Sequence, residues 1–347
     1  MEMRQMRRAA LLGLLMLCGF VLPRFVAPAL AADKPMPINV GYYPGATFQT
    51  LIFVSDAKGF YKKVGLDPTF ISTANGPLMN SELGSGAIDI GYNAPSQLGL
   101  AREQGLDLIF AAGNAKMPWV LIARKDLKLP HKGQYPAVIA DMKGTTWGVY
   151  GRGSDGEVFM RMMANDAHLN TSKDMTWVGV GGPPTGLPAL QVDKIQVYLT
   201  LDPAPVIAAN SGYGQTVLDL RKGEGPADLK GFVYQGIEVL RKTAEAKPEL
   251  LRRTIKAHQM AYCWVRDPKN FDELISILKK KLPAHGLSDA QFRDMVKQNI
   301  PTFTLLFPKD QVKKWSEVLT KAKMLKKPLL PEQILWKEIP THEPNCG

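Results

Sequence analysis

At 347 residues the chain is long enough for two domains, and its 45% hydrophobic and 22% charged content is that of an ordinary globular protein. The net charge of +11 is spread along the chain, with no basic arm and no aromatic ladder beside the lysines, so nucleic acid is excluded as a partner. Alternating strand and helix patterns point to an α/β fold.

The first residues read as an export signal. Arg4, Arg7 and Arg8 form a basic region, Ala9 to Leu22 an apolar stretch, and Ala29-Leu30-Ala31 a cleavage site. Arg24 interrupts the apolar run, which argues against a membrane-spanning helix. Cleavage after residue 31 removes four Arg and one Glu and leaves +8, a field that favours an anionic small molecule. The periplasm is the expected location. Cys263 and Cys346 remain after cleavage and are open to two readings: a bridge tying the tail to a helix, or two free thiols.

Beyond a Pro-rich lead-in, a first strand is expected at 38–43, ending at the turn Pro44-Gly45-Ala46-Thr47, with a helix from about 49 to 57. A second strand follows at 67–71, and the loop 72–77 carries Asn75 and Gly76 into another helix. The stretch 81–97, SELGSGAIDIGYNAPSQ, organises the rest. Gly84 and Gly86 stop a helix, 88–92 is a short buried strand, and Asn93 is read as the N-cap of a helix that opens with Ala94, Pro95 and Ser96. A strand feeding straight into a helix start leaves free N–H groups at the positive helix end, a cradle for an anion or dipole.

The next strand is expected at 105–114, and 119–124 reads as a strand leaving this lobe. After a connector at 125–143, a strand at 145–150 runs into Gly151-Arg152-Gly153-Ser154-Asp155-Gly156 and a helix with Val158, Phe159, Met162 and Met163 on its apolar face. A strand at 175–180 and a Gly/Pro loop at 179–186 follow. The stretch 188–205 then repeats the earlier plan: Ile195, Val197, Leu199 and Thr200 match Ile88, Ile90, Tyr92 and Asn93, and Asp202-Pro203 falls where Pro95-Ser96 falls. A strand at 215–220 returns toward the first lobe. From about residue 238 the chain reads as helical, at 246–265, 268–282, 288–299 and 309–323. The expected organisation is a signal at 1–31, a first lobe from 38–124 and 221–347, and a second lobe from 125–220. Two crossings between lobes permit a hinge.

The Gly/Ser/Asn/Thr loops at strand ends converge on one interlobe cleft if the lobes face each other. GRGSDG matches G-x-G-x-x-G, but the strand after it ends without an acid for a ribose, so no nucleotide cofactor is expected. Gly153 and Ser154 are instead expected to hold a polar or anionic group through backbone N–H groups and the Ser154 hydroxyl. Arg152 either adds a charge-assisted bond or points to solvent. Asp202 caps its own helix or accepts from a ligand, the cap being preferred. Ser154 lacks a nucleophile frame, and His131, His168, His258, His285 and His342 are scattered, so neither an enzyme nor a metal site is expected. Trp119, Trp147 and Trp177 read as core, with room for one at the cleft.

Lys58-Gly59-Phe60-Tyr61, Val64-Gly65-Leu66, the run from Leu83 to Asp89, Asp141-Met142-Lys143-Gly144 and Gly148-Val149 together resemble the nitrate/sulfonate/taurine class of ABC-transporter substrate-binding proteins. That class belongs to a wider group that includes thiamin-pyrimidine-precursor binders. The resemblance covers about residues 38–265. It implies a type II periplasmic-binding-protein fold, with two Rossmann-like lobes joined by a two-strand hinge and a ligand trapped on closure. Its contacts would fall at Gly45, Ala46 and Thr47, at Asn75 and Gly76, at Asn93, Ala94 and Ser96, at Gly153 and Ser154, and at Asp202. Gln196 and Leu201 depart from the class, Leu201 standing where sulfonate binders often carry Trp. The expectation is a monomer that captures a small organic anion, whether sulfonate, carboxylate or aromatic acid, and delivers it to an ABC permease of the inner membrane. The competing readings are an enzyme using the same cleft, such as a thiamin-pyrimidine-synthase-like one, and a ligand sensor without transport.

Overall fold

Ile38 and Val40 are buried on one side of their strand while Pro37 and Asn39 look outward, the alternation of a strand with one covered face. The computed structural model describes residues 34–282, 285–321 and 324–347. The expected export signal lies outside the described residues. Among them ten strands carry the fold: Met36–Tyr42 (β1), Leu66–Ser72 (β2), Gly91–Asn93 (β3), Leu108–Lys116 (β4), Val120–Arg124 (β5), Thr146–Val149 (β6), Thr176–Gly179 (β7), Val197–Thr200 (β8), Gly214–Asp219 (β9) and Val233–Leu240 (β10).

They form two layers of sheet, one per lobe. In the first, β1 pairs in parallel with β2, a single bridge from Val40 to Ile90 joins β1 to the run before β3, and β10 lies antiparallel between β3 and β4. The second sheet has the order β7-β6-β8-β5-β9, with β6 parallel to β7 and β8, and β5 antiparallel to β8 and β9. The strand at 119–124 was expected within the first lobe, as the one by which the chain leaves it; both edges of β5 are instead paired inside the second sheet.

β10 is the element that sequence reading misses. All eight of its residues are buried, including Gln235, Gly236 and Glu238. Its polar side chains look wrong for a central strand until their partners are seen. Gln235 Oε1 accepts from Asn114 Nδ2 (2.8 Å), and Gln235 Nε2 donates to the Tyr92 carbonyl (3.1 Å). Buried polar groups are tolerated when they are paired in this way. The Gly/Pro loop expected at 179–186 is also partly helix: Pro183–Gln191 begins on two prolines, which suit a first turn.

The chain passes between the sheets twice, and the two crossings lie side by side. Met117 N donates to the Phe232 carbonyl, and Leu220 N donates to the Trp119 carbonyl, each at 3.1 Å. The helix Pro248–Arg266 packs on the helix Thr50–Ala57 and on β2 and β4 of the first sheet. Cys263 on that helix is bridged to Cys346, with Cα atoms 5.2 Å apart, so the first of the two open cysteine readings holds. The tail that this bridge holds also places Glu343, which accepts from Leu305 N (3.1 Å) and Thr304 Oγ1 (2.5 Å). Residues 303–305 run beside β4, where Gly113 N donates to the Leu305 carbonyl. Among the described residues no helix is long and apolar enough to cross a membrane.

Candidate functional site

Five aromatic rings close around a hollow between the two sheets. Tyr43 and Phe48 come from the loop after β1, Trp119 from the first crossing, Tyr150 from the end of β6, and Tyr234 from β10. The rings meet edge to face: Tyr43 with Phe48 at 5.8 Å, Phe48 with Tyr234 at 6.2 Å, Trp119 with Tyr150 at 5.2 Å and Trp119 with Tyr234 at 5.8 Å. This arrangement suits their quadrupoles and fixes the walls. Asn75, Gly76, Ser154 and Asp155 complete the lining. The hollow holds about 20 Å³, room for about one water. An organic solute therefore enters only if the lobes part or the rings turn. Larger open grooves of about 770 and 890 Å³ lie along the C-terminal tail, but neither takes a residue from the second sheet.

Two polar atoms of the walls are buried without a well-formed hydrogen bond: the Trp119 Nε1, beside the Tyr234 hydroxyl, and the Tyr150 hydroxyl, beside those of Tyr198 and Thr200. An unpaired buried donor costs roughly 1–3 kcal/mol, so an acceptor brought within reach of either atom would be favoured. Asp155 is the opposite case. Its Oδ2 accepts from the Tyr234 hydroxyl at 2.8 Å and its Oδ1 from the Ser96 hydroxyl. Gln97 Nε2 donates to the Gly153 carbonyl at 2.8 Å. These three bonds tie the start of the helix Asp155–Asp166 in the second lobe to β10 and the helix Pro95–Glu103 in the first. The lobes also meet at Gly151, where an added Cβ would stand 3.0 Å from Asn75 Nδ2.

The residues expected at the site separate into groups. Asn75, Gly76 and Ser154 line the hollow, and Ser96 and Gly153 make the bonds between lobes. Gly45, Ala46 and Thr47 are buried in the same loop, but it is Tyr43 and Phe48 of that loop that reach the hollow. Ala94 is the buried N-cap of the helix Pro95–Glu103 and brings no side-chain bond. Asn93 is not a cap. It ends β3 and lies behind the walls, accepting from the Tyr43 hydroxyl (2.6 Å) and donating to Asn80 and Glu238 (2.8 Å each). Its match Thr200 likewise ends β8.

Arg152 and Asp202 stand apart from the lining. The Arg152 guanidinium is committed to Glu157, with Nε 2.9 Å from Oε2, and its side chain is 57% exposed. Asp202 is buried but caps nothing. Its Oδ2 accepts from Arg221 and from Asn299 Nδ2 (2.8 Å). Sequence reading misses Tyr43, Phe48, Tyr150, Asp155 and Tyr234. The available signal for Asp155 was its place one residue into the helix after Gly153-Ser154; an acid there reads as helix-dipole stabilisation.

Burial raises Asp155 above the usual carboxyl range, against the lowering effect of Ser96 and Tyr234. Glu238, behind the wall, is pushed up to about 8 by burial, with the Asn93 amide lowering it and the charge of Asp155 raising it. Among the described residues no group of three metal-ligating side chains exists.

A family model described as the NMT1-like family matches residues 31–279. A search of curated proteins finds no match. Among solved structures, the alkanesulfonate-binding protein SsuA from Xanthomonas axonopodis pv. citri, bound to MOPS, superposes with a TM-score of 0.70 at 15% identity, over 88% of this chain and 99% of that one. The periplasmic nitrate-binding protein NrtA from Synechocystis PCC 6803 gives 0.60 at 18% identity, over 74% and 70%. The Candida albicans CA3427 gene product, which exhibits the generic periplasmic binding protein fold, gives 0.66 at 14% identity, over 87% and 96%. At these identities the likeness is one of fold, and it agrees with two sheets joined by paired crossings. The resemblance carried by the sequence motifs is borne out: the chain belongs to the NMT1-like family and has the two-lobed type II periplasmic-binding-protein fold.

Proposed function

We propose that this protein is a periplasmic solute-binding protein that captures a small organic anion in the hollow between its lobes and delivers it to an ABC importer. It is a binder and not an enzyme. The observation that carries the reading is a pair of buried donors without well-formed hydrogen bonds, Trp119 Nε1 and the Tyr150 hydroxyl, on walls built from both lobes. They offer hydrogen bonds to an acceptor group such as a carboxylate or sulfonate, while Tyr43, Phe48 and Tyr234 offer faces and edges to an apolar or aromatic body. Family membership supports the reading, as does the fold shared with sulfonate- and nitrate-binding proteins of the periplasm. The paired crossings supply the axis about which solute closes the jaws, and the closed shape is what a permease of the inner membrane would recognise.

The test is a thermal-shift screen of the purified protein against nitrate, alkyl and aryl sulfonates, aliphatic and aromatic carboxylates, and pyrimidines. Aromatic carboxylates or aryl sulfonates should stabilise it, by about 2.7 kcal/mol at a hundredfold excess over Kd. Stabilisation by nitrate alone would not fit walls of this size and character. A screen in which no anion stabilises the protein would overturn the reading.

A further inference from the structure

An anion site ordinarily brings a cation. Among the described residues no Lys or Arg lines this hollow, and Arg152, the nearest in sequence to Asp155, is turned to Glu157. The charged group that does line it is Asp155. From the first lobe, Ser96 and Gln97 face it on the helix Pro95–Glu103, Tyr234 and Glu238 on β10, and Tyr43 on the loop after β1. On its own helix, Glu157 is taken up by Arg152 and Arg161. A carboxylate and an incoming anion in one dry, aromatic space cannot both keep their charge; paired acids in such sites share a proton.

The geometry points to Asp155 as the residue that decides whether an anion is accepted: the hollow takes an organic anion together with one proton, held between the Asp155 carboxyl and the solute. This rests on the solute-binding reading above. The step is a balanced one. The anion and a proton leave solvent, an O–H bond forms on Asp155, and that O–H donates to the anion. Nothing is oxidised or reduced, and on release the proton returns to solvent. The raising of Asp155 by burial is in line with this, since it favours a proton on the carboxyl. The Ser96 and Tyr234 hydroxyls donate to the carboxyl, so the same side chain holds the lobes together and is the group an arriving anion must meet.

A purely structural clamp would be indifferent to solute charge, and calorimetry separates the two roles. Benzoate, 4-hydroxybenzoate and benzenesulfonate are titrated into the full protein between about pH 5.5 and pH 8.5, each in two buffers of different ionisation enthalpy, which counts protons. The expected result is uptake of about one proton per anion and a Kd that rises about tenfold per pH unit toward the alkaline end. Asp155→Asn, which mimics the protonated carboxyl, should bind with a Kd flat in pH and no proton uptake. Glu238→Gln, behind the wall, should keep wild-type uptake. Binding without proton uptake in the wild-type protein would overturn the inference and leave the solute-binding reading standing. So would uptake that persists in Asp155→Asn and vanishes in Glu238→Gln. If Asp155→Asn does not fold, the comparison of wild type with Glu238→Gln decides: uptake that both retain supports the inference, and uptake lost in Glu238→Gln overturns it. Failure of every probe to bind, at every pH and in both proteins, would overturn the solute-binding reading and this inference with it.

Discussion

Tyr234 donates its hydroxyl to Asp155 Oδ2 over 2.8 Å, so the central strand of the first sheet holds the first turn of a helix in the second lobe. Hydrogen bonds to a charged group contribute about 1.5–3 kcal/mol. Tyr234→Phe keeps the ring in the wall and removes this bond. Without solute, its open population should rise by at least tenfold, seen as a larger radius of gyration in small-angle scattering. An unchanged scattering profile would show that Ser96 and Gln97 suffice to hold the lobes.

Tyr150→Phe should have effects of opposite sign on stability and binding, and Trp119→Phe should weaken binding. Removing the Tyr150 hydroxyl, which lacks a well-formed hydrogen bond, relieves a desolvation penalty, so the empty protein should gain up to ~1 kcal/mol in urea denaturation. Binding of an aryl carboxylate should weaken about five- to tenfold for loss of either donor. A variant that loses stability and keeps full affinity would show that its donor does not face the solute. Trp119→Phe also trims a ring that packs on Tyr150 and Tyr234, so its stability is expected to change less favourably than that of Tyr150→Phe.

Stability should fall on the alkaline side of neutrality. Glu238 is raised to about 8 by burial from an ordinary 4.5, so the folded protein keeps a proton that the unfolded chain has released. Its contribution is complete below about pH 4.5 and is lost as pH rises through 8. His258, lowered to about 4 by burial, works the other way: its contribution is complete above 6.5 and is lost as pH falls through 4. The two oppose each other between about 4.5 and 6.5. Above 6.5 Glu238 acts without that offset, with a slope of about 1.4 kcal/mol per pH unit until it too ionises. Denaturation curves at about pH 6.5, 7.25 and 8 should show the decline, and Glu238→Gln should remove most of it. A flat wild-type profile would mean that Glu238 is not protonated in the folded state.

Reduction should loosen the tail. The Cys263–Cys346 bridge closes a sequence separation of 83, for which loop-closure entropy gives about 4.5 kcal/mol. Thermal denaturation with and without a thiol reductant should differ by up to that amount, and Cys346→Ser should match the reduced protein. Equal midpoints would mean that the Glu343 contacts with Thr304 and Leu305 hold the tail without the bridge.

Local pattern and long-range partnership divided what could be read in advance. β1, β2, β8 and the helix Asp155–Asp166 follow from alternation, turn residues and an apolar stripe carried within a few residues, and the family motifs supplied the lobed fold. β10 was hidden because Gln235 and Glu238 find their partners in Gln49, Asn114, Tyr92 and Asn93, which lie more than a hundred residues away. The loops of the site were legible, but which side chain faces the hollow was not. Arg152 was claimed by an acid five residues on, Asp202 by Arg221 and Asn299, and the aromatic walls gather from four separate parts of the chain. An aspartate at a helix start looks solvent-exposed until the opposite lobe covers it.

Trp119 closes one of the two crossings through its carbonyl, and its indole rests against Gly156 while walling the hollow. One residue thus belongs both to a crossing and to the wall of the hollow. On the solute-binding reading, a swing of the jaws would re-aim this indole and an occupant would change its surroundings, so a variant keeping Trp119 alone of the six tryptophans would report both in its emission.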